Sequence, residues 1–213
     1  MRFFQRLVHH FGLFFVLTVV FTLFPLNSGS AQGTLLTGVD DTAKLPFWEW
    51  RTDVVSLRFV QRLPDQTRAF FMARGFGKQH AEQIAQSCIF QTVYKNISIP
   101  SAERIITYDM ADWEVIHHGQ SRRVKTREQW VQQWQNGKIS QASLIAFEWS
   151  LLPSRQRYQA KDYNWGMISF NLPPGSTFDL LFRWAEDGKQ KSARIKGIEC
   201  APDVHPDPKE SLG

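Results

Sequence analysis

The chain has 213 residues, a formal net charge of +5 and two cysteines. The positive excess is spread thinly, without the dense lysine and arginine clusters of a nucleic-acid-binding domain, and this argues against a nucleic-acid partner. The densest basic run, Arg122–Arg123–Val124–Lys125–Thr126–Arg127, is read as a solvated loop leading into a helix rather than as a patch for an anionic partner.

The first residues read as an address. Arg2 and Arg6 precede an apolar run from Phe11 to Leu26, and the following Asn27–Ser28–Gly29–Ser30–Ala31 places Gly29 and Ala31 at the −3 and −1 positions of a cleavage after Ala31. This is the layout of a secretory signal peptide. The run falls short of the ~20 apolar residues that cross a bilayer. Residues 1–31 are therefore expected to be a cleaved signal peptide, with an uncleaved anchor as the alternative, and any membrane contact is expected to be transient, through the leader. No cysteine follows the small residues, which speaks against a lipoprotein. The expected location is the periplasm or the extracellular space. The remaining ~180 residues suit one domain. The division is a flexible lead over 32–44, a single α+β domain over 45–200 and a disordered, proline-containing tail over 201–213. Cys88 and Cys200 are an even pair in an exported chain and read as one disulfide.

In chain order, Leu45 to Trp50 opens the fold as a strand with Trp48 and Trp50 on one face, packed inward. Asp53 to Arg62 is a strand with apolar residues on both faces near its ends, the pattern of a central strand. Arg68 to Arg74 is a short helix stopped by Gly75. Lys78 to Tyr94 reads as a longer helix, because Ala81, Ile84, Ala85, Cys88 and Thr92 form a stripe. The two helices form a hairpin docked on a sheet. Asn96–Ile97–Ser98 is a glycosylation sequon, read as a chance match. Ile105 to Tyr108 and Asp112 to His118 are expected to pair as strands around Asp109–Met110–Ala111. Thr126–Arg127–Glu128–Gln129 is a capping box, and the helix it starts carries Trp130 and Trp134 on one face and stops at Gly137.

Ser143 to Leu152 alternates Ile145, Phe147, Trp149 and Leu151, which predicts a strand. Ser154 to Asp162 is expected to be an exposed loop, and Tyr163 to Phe170 a strand. Thr177 to Trp184 puts Phe178, Leu180, Phe182 and Trp184 on one face. Asp187–Gly188 then makes a hairpin turn, and Lys189 to Glu199 is the returning strand. The fold class that follows is α+β: an antiparallel, sandwich-like sheet carrying a helical hairpin.

The common catalytic motifs are missing: G-x-S-x-G, H-E-x-x-H, the P-loop, C-x-x-C and G-x-G-x-x-G. No cofactor is implied by motif. The segment Tyr108 to Gly119 concentrates ligand types, and His117, His118 and Met110 are the candidate metal ligands. Thioether and imidazole together suit copper, and Met167 and Met72 could join through the fold. Side chains of successive strand residues point to opposite faces, which separates His117 from His118 unless the strand ends at Gly119. Asp109 and Asp112 could be paired carboxylates of a hydrolase, with turn and cap duty as the competing reading. Arg155, Arg157, Lys161, Tyr163 and Trp165 form a candidate binding lip, since basic residues beside aromatics suit an acidic ligand or a carbohydrate. The expected function is an exported, non-enzymatic binding or accessory protein acting on a protein or small-molecule partner. The alternatives are a periplasmic copper-binding or delivery protein and, third, a hydrolase with a carboxylate site.

Overall fold

Val55, Leu57 and Phe59 are fully buried while Arg58 and Val60, on either side of Phe59, are half-buried. That alternation is the signature of a strand with one face in a core. It belongs to the middle of a five-stranded antiparallel sheet. The computed structural model of the protein describes residues 29–134 and 139–204. The expected signal peptide therefore lies almost wholly outside the described residues, as do the helix stop at Gly137 and most of the tail.

The elements run β1 (Gly29–Ser30), β2 (Thr34–Val39), β3 (Pro46–Arg51), β4 (Val55–Gln61), α1 (Pro64–Met72), α2 (Lys78–Ala85) and β5 (Ile89–Asn96). They continue with β6 (Ile106–Asp109), β7 (Glu114–His117), β8 (Gln120–Arg123), α3 (Arg127–Trp134), α4 (Gln141–Ser150) and β9 (Arg155–Tyr158). The last three are β10 (Tyr163–Ser169), β11 (Thr177–Glu186) and β12 (Lys189–Glu199). One sheet has the order β10-β5-β4-β3-β2. In the other, of seven strands, β12 pairs with β11, and β1 runs parallel to β12 along its outer edge. The far edge of β11 is shared by β6 and β7, which pair outward with β9 and β8 respectively.

The inner faces of the two sheets meet in a single core that includes Trp48, Leu57, Phe59, Phe90 and Tyr94 from one sheet and Trp113, Phe178, Leu180, Phe182 and Ile195 from the other. The chain is thus an α+β sandwich, as its alternation predicts. The β11–β12 hairpin turns on Asp187 and Gly188 with positive φ at both, the geometry that Asp-Gly favours. Cys88 and Cys200 are bonded, with Cα atoms 5.2 Å apart. The bridge joins the residue before β5 to the residue after β12, so it clips one sheet to the other. Among the described residues no helix is long and apolar enough to cross a membrane.

Several expectations are corrected. Residues 32–44 are not a flexible lead: β2 pairs along its whole length with β3. Cys88 is not helical, because α2 ends at Ala85 and Cys88 takes a φ of 51° before β5 begins. The stripe from Ala81 to Ala85 is buried as predicted, but Thr92 is buried as a strand residue. β6 and β7 do not pair with each other: both lie antiparallel along β11, separated by a 3₁₀ turn at Met110–Asp112. Ser154 to Asp162 is partly a strand, with Ser154 and Tyr158 buried. The sequon, by contrast, fits its reading as a chance match: Asn96 is buried, its amide donating to the carbonyl of Arg104 at 2.6 Å. The tail is fixed at least as far as Asp203, which accepts from Arg68 at 2.6 Å.

Ser143 to Leu152 is the largest correction, since Gln141–Ser150 is helix. Ser140 caps it by accepting from the Ser143 N–H at 3.1 Å. Every second residue of an alternating run divides into two sets spaced by four. Ser143, Phe147 and Leu151 are buried on one side, while Ile145 and Trp149 are exposed on the other. A helix separates these sets and a strand does not.

The capping box forms as written: the Thr126 N–H donates to Gln129 Oε1 at 2.9 Å and the Gln129 N–H to Thr126 Oγ1 at 3.4 Å. Side chains from all four helices and from the segments beside them make a second core of Phe71, Phe76, Ala81, Ile84, Trp130, Trp134 and Phe147 against Ile89 and Met167 of the five-stranded sheet. The helical layer is therefore larger than a hairpin. It covers one end of the sheet's outer face.

Candidate functional site

Among the described residues nothing covers the rest of that outer face, and pairing registers fix what it displays. Tyr163 stands opposite Lys95, and Trp165 opposite Val93. Val93 in turn faces Arg58, and Gln91 faces Val60. Side chains at alternate positions share a face, so Trp165, Val93 and Arg58 form one row and Gln91 and Val60 the next. Trp165 is 67% exposed and Tyr163 60% exposed. Isolated exposed aromatics are ordinary, but rings adjoining an apolar surface mark a contact site.

That apolar surface is a groove of about 380 Å³ lined by Leu45, Val60, Val93, Ala43, Gln91 and Arg62, among others. Its walls are the loop after β2 and the start of α1. The loop is held by Asp40, whose carboxylate accepts from the Thr42 and Ala43 N–H groups at 3.0 and 2.8 Å and from Arg58 at 2.9 Å. Those backbone hydrogen bonds and Arg58 pull the Asp40 carboxyl below the usual carboxylate range. Arg58 also pairs with Glu49 at 3.0 Å and stacks over Phe47 at 3.7 Å, so its charge is neutralised in place.

α4 reaches the same sheet edge. The Leu152 N–H donates to the Met167 carbonyl at 2.9 Å. Gly166 permits the approach: a Cβ there would lie 2.4 Å from the Leu152 nitrogen. Trp149, in the last turn of α4, is 85% exposed. Sequence reading expected Trp149 on a strand and did not single out Arg62, Val60 or Val93. The one available signal was the apolar residues on both faces of β4.

The candidate lip is divided. Tyr163, Trp165 and Lys161 belong to the start of β10 and the turn before it. Arg155 and Arg157 lie on β9 in the other sheet, opposite Asp109 and Thr107. Arg155 Nε donates to Asp109 at 2.5 Å.

The candidate copper ligands are not brought together. Met110 is 3% exposed and sits in the sandwich core. His117 ends β7, level with the opposite end of β11, where its Nδ1 lies 2.9 Å from the Thr177 carbonyl oxygen. His118 has left the strand, with a φ of 50° ahead of Gly119, and its ring centroid is 3.9 Å from that of His117. The turn thus puts two imidazoles side by side, as a strand ending at Gly119 allows, but without the thioether. Among the described residues no group of three or more His, Cys, Asp or Glu side chains converges as a metal site.

Asp109 and Asp112 line one shallow depression with Arg183 and Gln190. Asp109 accepts from the Ala111 N–H at 2.9 Å, capping the 3₁₀ turn, which is turn-and-cap duty. The neighbouring cleft adds Glu128 and Ser154. Partial burial pushes the Glu128 carboxyl up, but hydrogen bonds from Ser154 and Arg127 outweigh it and bring it down to about 2. Glu128 is therefore an ionised acceptor near neutrality.

No protein-family model matches this chain, and neither a curated protein nor a solved structure matches it.

Proposed function

We propose that the protein is an exported, non-enzymatic binding protein that holds a carbohydrate chain across the bare outer face of its five-stranded sheet. The observation that carries this is the pair of exposed rings, Trp165 and Tyr163, on one face of the edge strand beside the groove. A flat ring left wet on a rigid strand suits a ligand that stacks its C–H face and keeps its hydroxyls in water. An acyl chain is better served by an enclosed cavity that hides it on all sides. Both rings are carried by a hydrogen-bonded strand, so little ordering cost is added on binding. Export is supported by the leader-like N-terminus and by the Cys88–Cys200 bond, which suits an oxidising compartment.

Titration of the purified protein against an array of oligosaccharides tests the reading. A bound sugar should change tryptophan fluorescence, and Trp165→Ala should weaken binding at least ten-fold. Full binding by Trp165→Ala together with Tyr163→Ala would remove the site from this face.

A further inference from the structure

We infer that the carbohydrate is acidic, with a carboxylate held by Arg62 at the α1 end of the groove while a ring of the same chain stacks on Trp165. This rests on the carbohydrate-binding reading above and adds the class of sugar.

The two arginines of the groove are in opposite states. Arg58 is met by Glu49 and Asp40. Arg62 has no acidic partner among the described residues. It donates from Nη2 to the Gln66 carbonyl at 3.3 Å, and its Nε is shielded from solvent with no hydrogen-bond partner. A guanidinium has five donor hydrogens and no acceptor. Burying one without an anion is costly, and a carboxylate that meets its fork in two parallel hydrogen bonds removes that cost.

The neighbour of Arg62 does not supply an anion either. Phe70 lies under both Arg62 and Arg74, at 4.8 and 3.3 Å from ring centroid to guanidinium carbon. Arg74 donates to the Phe70 carbonyl at 3.0 Å and likewise has no acidic partner among the described residues. The Phe70 ring therefore carries two guanidiniums, neither of which has a carboxylate partner among the described residues. Burial, and then the charge of Arg74, press the Arg62 guanidinium toward its neutral form, the strain that a bound anion relieves.

Spacing sets the size of the ligand. Arg62 lies four residues along from Arg58, and Arg58, Val93 and Trp165 form a row across three strands. Two strand spacings of roughly 5 Å and four residues of roughly 3.3 Å separate Arg62 from Trp165 by about 16 Å. That is the reach of a short oligosaccharide, not of a single small acid. Gln91 lies between them in the groove, its amide without a hydrogen-bond partner among the described residues, so it is free to meet a hydroxyl.

The test uses the full chain and an array of oligomers of galacturonate, glucuronate, mannuronate and guluronate, each beside its methyl ester. The esters keep the rings and remove the charge. The expected result is binding of at least one uronate oligomer at least ten-fold more tightly than its ester. Arg62→Gln should abolish that preference in a chain that still folds and still binds the ester, and Arg62→Lys should restore it only in part. Equal affinity for acid and ester, or an unchanged preference in Arg62→Gln, overturns the acidic assignment and leaves the carbohydrate reading standing. Absence of binding to every sugar, or binding indifferent to Trp165→Ala, overturns both.

Discussion

The two faces of the five-stranded sheet are built from similar residues and meet different fates. On the inner face Trp48, Leu57, Phe59, Phe90 and Tyr94 are buried against the seven-stranded sheet. On the outer face Val60 and Val93 alternate with them along β4 and β5, beside Tyr163 and Trp165 of β10, yet among the described residues only the end near Ile89 and Met167 is covered, by the helices. Burial here is decided by what stands opposite a residue, not by its type. An apolar face left without a cover on a folded domain is a candidate contact surface.

The strongest way to break this contrast is to release the clip that holds the inner faces together. Replacing Cys88 and Cys200 by alanine opens a loop spanning 112 residues. It should cost about 4–5 kcal/mol in urea unfolding, on the chain-entropy account. A loss under 1 kcal/mol would show that the sheets associate without the bridge.

Next in size, the two faces can be compared by truncation. Phe59→Ala should cost about 3–5 kcal/mol, because a fully buried ring leaves a cavity. Trp165→Ala should stay within about 0.5 kcal/mol of the parent while losing ligand. Similar losses of stability from both would mean that the outer face is covered in solution.

Smaller again, Gly166→Ala should cost about 1–3 kcal/mol through overpacking, because its Cβ would collide with the backbone at Leu151 and Leu152. It tests whether the seam between α4 and β10 holds the end of the outer face in place. An unchanged melting temperature would argue that α4 can move away freely.

The smallest expected effect concerns pH and the inner core. Burial pushes the Tyr158 phenol up from 10.0 to about 12. A raised phenol pKa gives stability that is complete below pH 10, where the phenol is neutral in both states. Above that the unfolded chain ionises first, so stability should fall as pH rises toward 12. Tyr158→Phe should blunt the fall in melting temperature between pH 10 and pH 12. An unchanged profile would place the alkaline response elsewhere.

Much of the inner core was legible from residue order. Phe178, Leu180, Phe182 and Trp184 alternate, and Asp187–Gly188 can adopt the positive φ values of a tight hairpin. A face buried along its whole length leaves a period of two in the sequence. Ser143 to Leu152 shows where this fails, because alternate residues also fall into sets spaced by four. Only the cap at Ser140 and the fit of Phe147 against Phe71 and Trp134 chose the helix. Of the candidate site, Tyr163 and Trp165 were legible as aromatics at a strand entry. Arg62 was not, because an arginine at a strand end looks the same whether or not an acid faces it.

The sequence by itself determined the class of the fold, the identity of the bonded cysteines and the strands with one apolar face, since these depend on local period, turn chemistry and a count of two. Only the tertiary structure decided which apolar face stays open and which arginine lacks a counter-charge among the described residues, and whether Met110 reaches the histidines. Those depend on contacts between segments far apart in the chain, and a linear pattern carries no record of what packs across from it.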